Sequence, residues 1–191
     1  NKTNELNIIE SNLSLVDLNI NDDQNTESLK LINSNENSIP NLPKNYIFFH
    51  FKKRFFDELN WGTKEFDDII KVLKTKYNNI VFSSDIEKNK YDDYFFSKFT
   101  SIDFEKNYKF TEKNEKNIIY LKKIDPKNLF LVIKGSQMVL GPHGLITQIS
   151  YLLDKKNINL FNFKIRNLED YHHQKISFSE WYSNMNLKFI L

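Results

Sequence analysis

From residue 46 onward the chain switches between short apolar runs and longer stretches in which apolar residues recur every three or four positions. Residues 46–50 (YIFFH) read as a buried strand, because an unbroken apolar run suits a strand covered on both faces. It ends in His50 and the basic turn Phe51-Lys52-Lys53-Arg54. In residues 64–77, Phe66, Ile69, Ile70, Val72 and Leu73 fall mostly on one helical stripe. Residues 79–85 (NIVFSSD) predict the next strand, with Ser83, Ser84 and Asp85 at its carboxyl end. Residues 86–117 are charged and aromatic without a clear period; a short helix near 94–99 is the one element expected there.

Regularity returns at 118–124 (IIYLKKI), a strand or strand-to-loop segment. Asp125 is then suited to cap a helix, Pro126 to its first position and Gly135 to the position just past its end. Residues 137–140 (QMVL) predict a strand, 145–156 a helix and 157–161 a further strand. Beyond these, 177–185 look helical and 187–191 strand-like. Strands alternating with helices imply an α/β fold, a parallel sheet with helices on both faces. Ligands of such sheets lie beyond the carboxyl ends of the strands, near the point where strand order reverses. His50 with its basic turn, Ser83-Ser84-Asp85, and the turn at 141–144 all stand at such ends.

Residues 1–45 break this rhythm. They are rich in Asn, Asp and Ser; residues 14–20 (SLVDLNI) alternate as an edge strand would, and Pro40 and Pro43 oppose regular structure. They are expected to be a linker or the remnant of an N-terminal domain, with residues 46–191 forming the folded domain. The first residue is Asn1, not methionine, which fits a processed, trimmed or partial chain.

Composition narrows the function classes. Across 191 residues, 40% are hydrophobic and 15% aromatic, ample for a core. Net charge is +2, lysines are dispersed, and Arg54 and Arg166 are the only arginines, so a nucleic-acid partner is not expected. Without cysteine there are no disulfides, thiolate metal sites or cysteine nucleophiles. No apolar run reaches the length of a transmembrane segment. His172-His173 lack further ligands at metal-binding spacing, so no metal is expected. Trp61, Trp181 and the aromatics at 94–99 are expected to pack, and Asp67 and Asp68 to lie on a solvated helix face. No nucleophile-elbow pattern surrounds Ser136, which argues against a serine hydrolase. The first strand–helix junction has no G-x-G-x-x-G, which argues against a dinucleotide oxidoreductase.

The chemistry concentrates at Gly141-Pro142-His143-Gly144, which uses two of the four glycines at a strand-to-helix turn. A helix start offers unpaired amides and the positive end of the dipole, and glycine lets a bulky anion approach. Phosphate is the common client of this arrangement. An isolated G-P-H-G serves equally as a tight turn with His143 as a capping side chain.

Two segments carry a resemblance. Residues 45–85, with strand, basic loop, Trp61, helix and a second strand ending in small and acidic residues, are similar to the opening of the C-terminal domain of GT-B glycosyltransferases. Residues 124–153 (IDPKNLFLVIKGSQMVLGPHGLITQISYLL) are similar to that domain's later pattern, a helix leading to a short strand, a small-residue loop and the donor-binding helix. The layout is heptosyltransferase-like, although His143 stands where an acidic residue is usual and Gln148 near the usual histidine.

The resemblance implies a Rossmann-like nucleotide-sugar-binding domain, one GT-B half, that transfers sugar in glycan or polysaccharide synthesis. Gly141, His143, Gly144, Leu145, Thr147 and Gln148 would then meet the diphosphate or proximal ribose. His50, Lys52 and Lys53 would contact donor phosphates, and Ser83, Ser84 and Asp85 would lie near the base or ribose. It further implies a metal-independent reaction without a cofactor, a glycan or lipid-linked acceptor, and residence in the cytoplasm or at the periphery of the inner membrane. The general base in such enzymes comes from the N-terminal domain, so the catalytic residue is unknown. The competing expectation is a non-catalytic Rossmann-like module that binds a nucleotide or a partner protein.

Overall fold

The structure, a computed structural model, describes residues 39–86, 90–142 and 144–160. His143, His172, His173, Trp181 and the elements expected at 14–20, 177–185 and 187–191 lie outside the described residues. Among the described residues seven strands form one sheet, in the order β4-β3-β5-β2-β1-β6-β7. They are β1 (Ile47–His50), β2 (Ile80–Ser83), β3 (Thr100–Asp103), β4 (Lys109–Thr111), β5 (Ile118–Lys122), β6 (Met138–Pro142) and β7 (Asn157–Leu160). Every pairing is parallel except β3 with β4, so the fold is α/β with a mostly parallel sheet.

Five helices accompany it among the described residues: α1 (Lys53–Glu58), α2 (Thr63–Lys74), α3 (Asp92–Lys98), α4 (Pro126–Gly135) and α5 (Leu145–Leu152). Strand side chains alternate between two cores. Phe48, Val81, Ile102, Ile119, Leu121 and Val139 pack with α4 and α5, whereas Ile47, Phe49, Phe82, Tyr120 and Leu140 pack with α1, α2 and α3. The second core is an aromatic lattice centred on Phe66, whose ring lies 4.6 Å from Phe95 and 5.1 Å from Phe82. Trp61 packs edge-on against Phe55 and Phe56, in keeping with the expectation for it.

Local sequence explains the helix starts. Asp125 accepts a 2.9 Å hydrogen bond from the Asn128 amide, and Pro126 opens α4 as expected. At α2 the cap is Gly62, whose amide donates to Glu65 Oε2 at 2.7 Å; having no side chain, Gly62 supplies only that half of a capping box.

Several expectations need correction. The basic turn is cut short, because α1 begins at Lys53 to bury Phe55 and Phe56. Residues 86–117 hold two strands besides the helix at 92–98. Gly135 is the last residue of α4 and does not adopt positive φ; Ser136 closes the helix, its amide donating to Val132 and Ile133. Gly141 and Pro142 belong to β6, because β7 pairs alongside them. Asp67 is no solvated bystander: Tyr94 and Lys98 both donate to its Oδ2 at 2.6 Å. Ile39, from the expected linker, is 4% exposed in the first core.

Chain order fixes where a ligand can bind. From β1 the chain moves to β2, whereas after β5 it crosses to β6 on the opposite side of β1. Strand order therefore reverses between the neighbours β1 and β6, and the connections leaving their carboxyl ends run to opposite faces of the sheet, which leaves a crevice between them.

Candidate functional site

A cleft of about 620 Å³ lies at that crevice, within the size range of small-molecule sites. It is built by the carboxyl ends of β1, β2, β5 and β6 and the start of α5. His50, Lys52, Lys53, Ser84, Asp85, Gly144 and Leu145, all singled out in the sequence, line it. Arg54 and Pro142, named in the sequence only as members of the two turns, line it as well, together with Ile86, Ile124, Pro126, Leu129 and Ile146, which were not expected there.

Gly141 brings the two strand ends together. A Cβ there would lie 2.6 Å from Ile146 Cδ1, 3.0 Å from the His50 carbonyl oxygen and 3.2 Å from His50 Cβ. Only glycine lets β6 and α5 close on the end of β1 at this distance. Gly144, with φ of +156°, then starts α5 and is open above its Cα; the nearest atom to a Cβ there would be Lys52 Nζ, at 3.9 Å. The Lys52 ammonium thus hangs over the amino end of α5. At that end the Thr147 and Gln148 amides donate to the Gly144 carbonyl, at 3.0 and 3.3 Å. Among the described residues no carbonyl accepts from the amides of Leu145 or Ile146.

The other cations of the expected turn are engaged elsewhere. Lys53 Nζ pairs with Asp57 at 2.5 Å and Arg54 Nε with Glu58 at 2.8 Å, each one turn along α1. Among the described residues no carboxylate pairs with Lys52. Asp85 also acts on α1: its Oδ2 accepts from the Lys53 amide at 2.9 Å, standing in for the side-chain cap that Lys52 cannot provide.

His50 forms the floor, its side chain 17% exposed. Its Nδ1 lies 3.0 Å from Ser83 Oγ and its Nε2 3.8 Å from Asp85 Oδ1. Burial is the main reason its imidazole is held down to about 4; the Asp85 carboxylate opposes that shift and the Lys52 ammonium adds to it. The ring is therefore neutral at pH 7.

Ser83, Gly141, Thr147 and Gln148, also singled out in the sequence, do not line the cleft, and the Ser84 hydroxyl turns away from it. Ser83 is fully buried and reaches the cleft only through His50. Ser84 Oγ turns inward, 2.8 Å from Tyr120 Oη and 3.2 Å from Asp92 Oδ1. Thr147 is 1% exposed, and Gln148 Oε1 is buried without a hydrogen-bond partner. Neither lines the cleft.

The cleft is bipolar. Lys52, His50 and the start of α5 stand by β1 and β6, whereas Ile86, Ile124, Pro126 and Leu129 stand by the ends of β2 and β5. Ile86 is 58% exposed. Such a site suits a molecule with an anionic end and a flat or apolar end. No protein-family model, curated protein or solved structure matches this chain.

Proposed function

We propose that this domain is Rossmann-like, one half of a GT-B glycosyltransferase, and holds a nucleoside-diphosphate sugar as glycosyl donor. The supporting observation is the pairing of Lys52 with the amino end of α5 at the sheet's reversal point. Two sources of positive potential face each other there, and among the described residues no carboxylate pairs with Lys52. Left empty, that arrangement is repulsive; a diphosphate makes it favourable. The apolar wall of Ile86, Ile124, Pro126 and Leu129 offers a surface for the nucleobase, by the ends of β2 and β5 in the same cleft.

In the proposed reaction an acceptor hydroxyl attacks the anomeric carbon and gives its proton to a general base outside this domain, while the bond from that carbon to the diphosphate oxygen breaks. The oxygen gains negative charge as it leaves. Lys52 and the amides of Leu145 and Ile146 stabilise that charge better than they stabilise the intact donor. This chemistry needs no metal at the phosphates. It assigns no general base, because Asp85 is committed to the start of α1.

The test is hydrogen exchange with UDP, GDP or ADP added in turn. At least one should protect the amides of residues 144–146, and Lys52→Gln should weaken that ligand's binding about tenfold or more, as expected for a charge-assisted phosphate contact of about 1.5–3 kcal/mol. Absence of protection with all three nucleotides overturns the reading.

A further inference from the structure

His50 occupies a position that a simple phosphate ligand would not need. It is packed at the base of the cleft, with its Cβ against the Gly141 backbone and its Nδ1 on a fully buried serine hydroxyl. Among the described residues the charged groups facing it are few. Asp85 faces it from the end of β2, Lys52 from the loop after β1, and the amino end of α5 from beyond β6. The side chains of Lys53 and Arg54 are held by Asp57 and Glu58.

We propose that His50 is the proton-carrying ligand of this site: an anion bound between Lys52 and the start of α5 draws one proton from solvent onto the imidazole. The inference rests on the reading of the cleft as an anion site. In the free protein, burial and the Lys52 ammonium both disfavour the imidazolium, and Asp85 alone favours it. A bound diphosphate reverses this balance. It offsets the Lys52 charge and places further negative charge beside the ring.

The ring is already oriented for that change. As imidazolium it donates through Nδ1 to Ser83 Oγ, which accepts with a free lone pair, and presents Nε2–H to the bound anion, with the Asp85 carboxylate 3.8 Å away adding Coulombic support. Ser83 therefore acts as a positioning residue that suits either protonation state. Binding and proton uptake are then one event, and releasing the anion returns the proton to solvent.

The experiment follows the His50 imidazole directly by nitrogen-15 NMR, assigned with His50→Gln, across pH 3.5–8. It is run with and without saturating inorganic pyrophosphate. Anion binding is read in the same samples from the amide signals of residues 144–146. The expected result is that pyrophosphate shifts those amides and raises the His50 midpoint by at least about one pH unit. The affinity of the native protein relative to His50→Gln should then improve by up to about tenfold per unit of pH lowered within that window. If the amides respond while the midpoint stays in place, the proton coupling is wrong and the anion site stands. If neither responds, both readings fall.

Discussion

Gly141 meets His50 through bare backbone, and this contact sets the geometry of the whole cleft. With no Cβ at 141, the end of β6 lies close enough to β1 for Ile146 to drop onto both. The Gly141→Ala substitution puts a methyl group 3.0 Å from a fixed carbonyl oxygen and 2.6 Å from Ile146 Cδ1. The isoleucine tip can turn away, whereas the carbonyl cannot without disturbing β1. Overpacking of this kind costs about 1–3 kcal/mol. Urea denaturation should record that loss, together with weaker protection of the amides at 144–146 by nucleotide. Unchanged stability would mean that the two strand ends are less closely joined than described.

Phe66 serves the fold and not the site. Its ring contacts Phe49, Phe51, Phe56, Phe82, Phe95 and Phe99, linking α2 to the sheet and to α3. Phe66→Ala leaves a cavity that these large, rigid neighbours fill poorly, and should cost about 3–5 kcal/mol. A loss below about 1 kcal/mol in the same denaturation measurement would show that the lattice repacks freely.

Much of this architecture was legible in the chain because its central strands are nearly pure apolar runs. β1, β2, β5 and β6 carry Ile47–Phe49, Ile80–Phe82, Ile118–Leu121 and Met138–Leu140, which few other structures can accommodate. The strand β3 escaped for the opposite reason. Thr100, Ser101 and Asp103 are polar, yet each is at most 1% exposed. The burial of Thr100 and Asp103 depends on distant partners: Lys122 Nζ lies 3.2 Å from Asp103 Oδ2, and the Lys113 amide donates to Thr100 Oγ1 at 3.0 Å, whereas Ser101 Oγ is buried without a hydrogen-bond partner. Hydrophobic periodicity cannot register a strand stabilised in that way.

The cleft divides along the same line. His50, Lys52 and Gly144 follow from alternation, because each stands beside a strand's carboxyl end. Ile124, Pro126 and Leu129 do not, since they reach the cleft only because β5 inserts between β2 and β3. That placement is a property of the closed sheet. The charge partners on α1 were equally hidden, because Lys53–Asp57 and Arg54–Glu58 become neighbours only once the turn is known to be helical.

Asp85 links the site to the start of α1. Its carboxylate receives the Lys53 amide, one residue past the lysine that overhangs α5. Asp85→Ala removes the cap and should cost about 1 kcal/mol of stability. It should also loosen the loop that carries Lys52, so nucleotide affinity should fall by more than the lost stability alone accounts for. Asp85→Asn keeps an accepting oxygen and should restore most of the stability. If alanine and asparagine behave alike in both measurements, the carboxylate has no capping role.

The buried imidazole of His50 makes stability depend on pH in a defined window. Its folded value of about 4 lies below the ordinary 6.5 of an unfolded chain. Between those values the unfolded chain binds the proton and the folded protein does not, so acid favours unfolding. No stability is lost to this group above about pH 6.5, and the loss grows progressively as pH falls toward 4, where it reaches about 3 kcal/mol. The His50→Gln substitution removes the titrating group and should flatten this part of the profile, leaving the carboxylates to govern the more acidic range. Denaturant midpoints at half-unit steps from pH 4 to 7, for both proteins in the absence of anions, make the comparison. Parallel profiles would show that the His50 ring is solvated enough to titrate alike in the folded and unfolded chain.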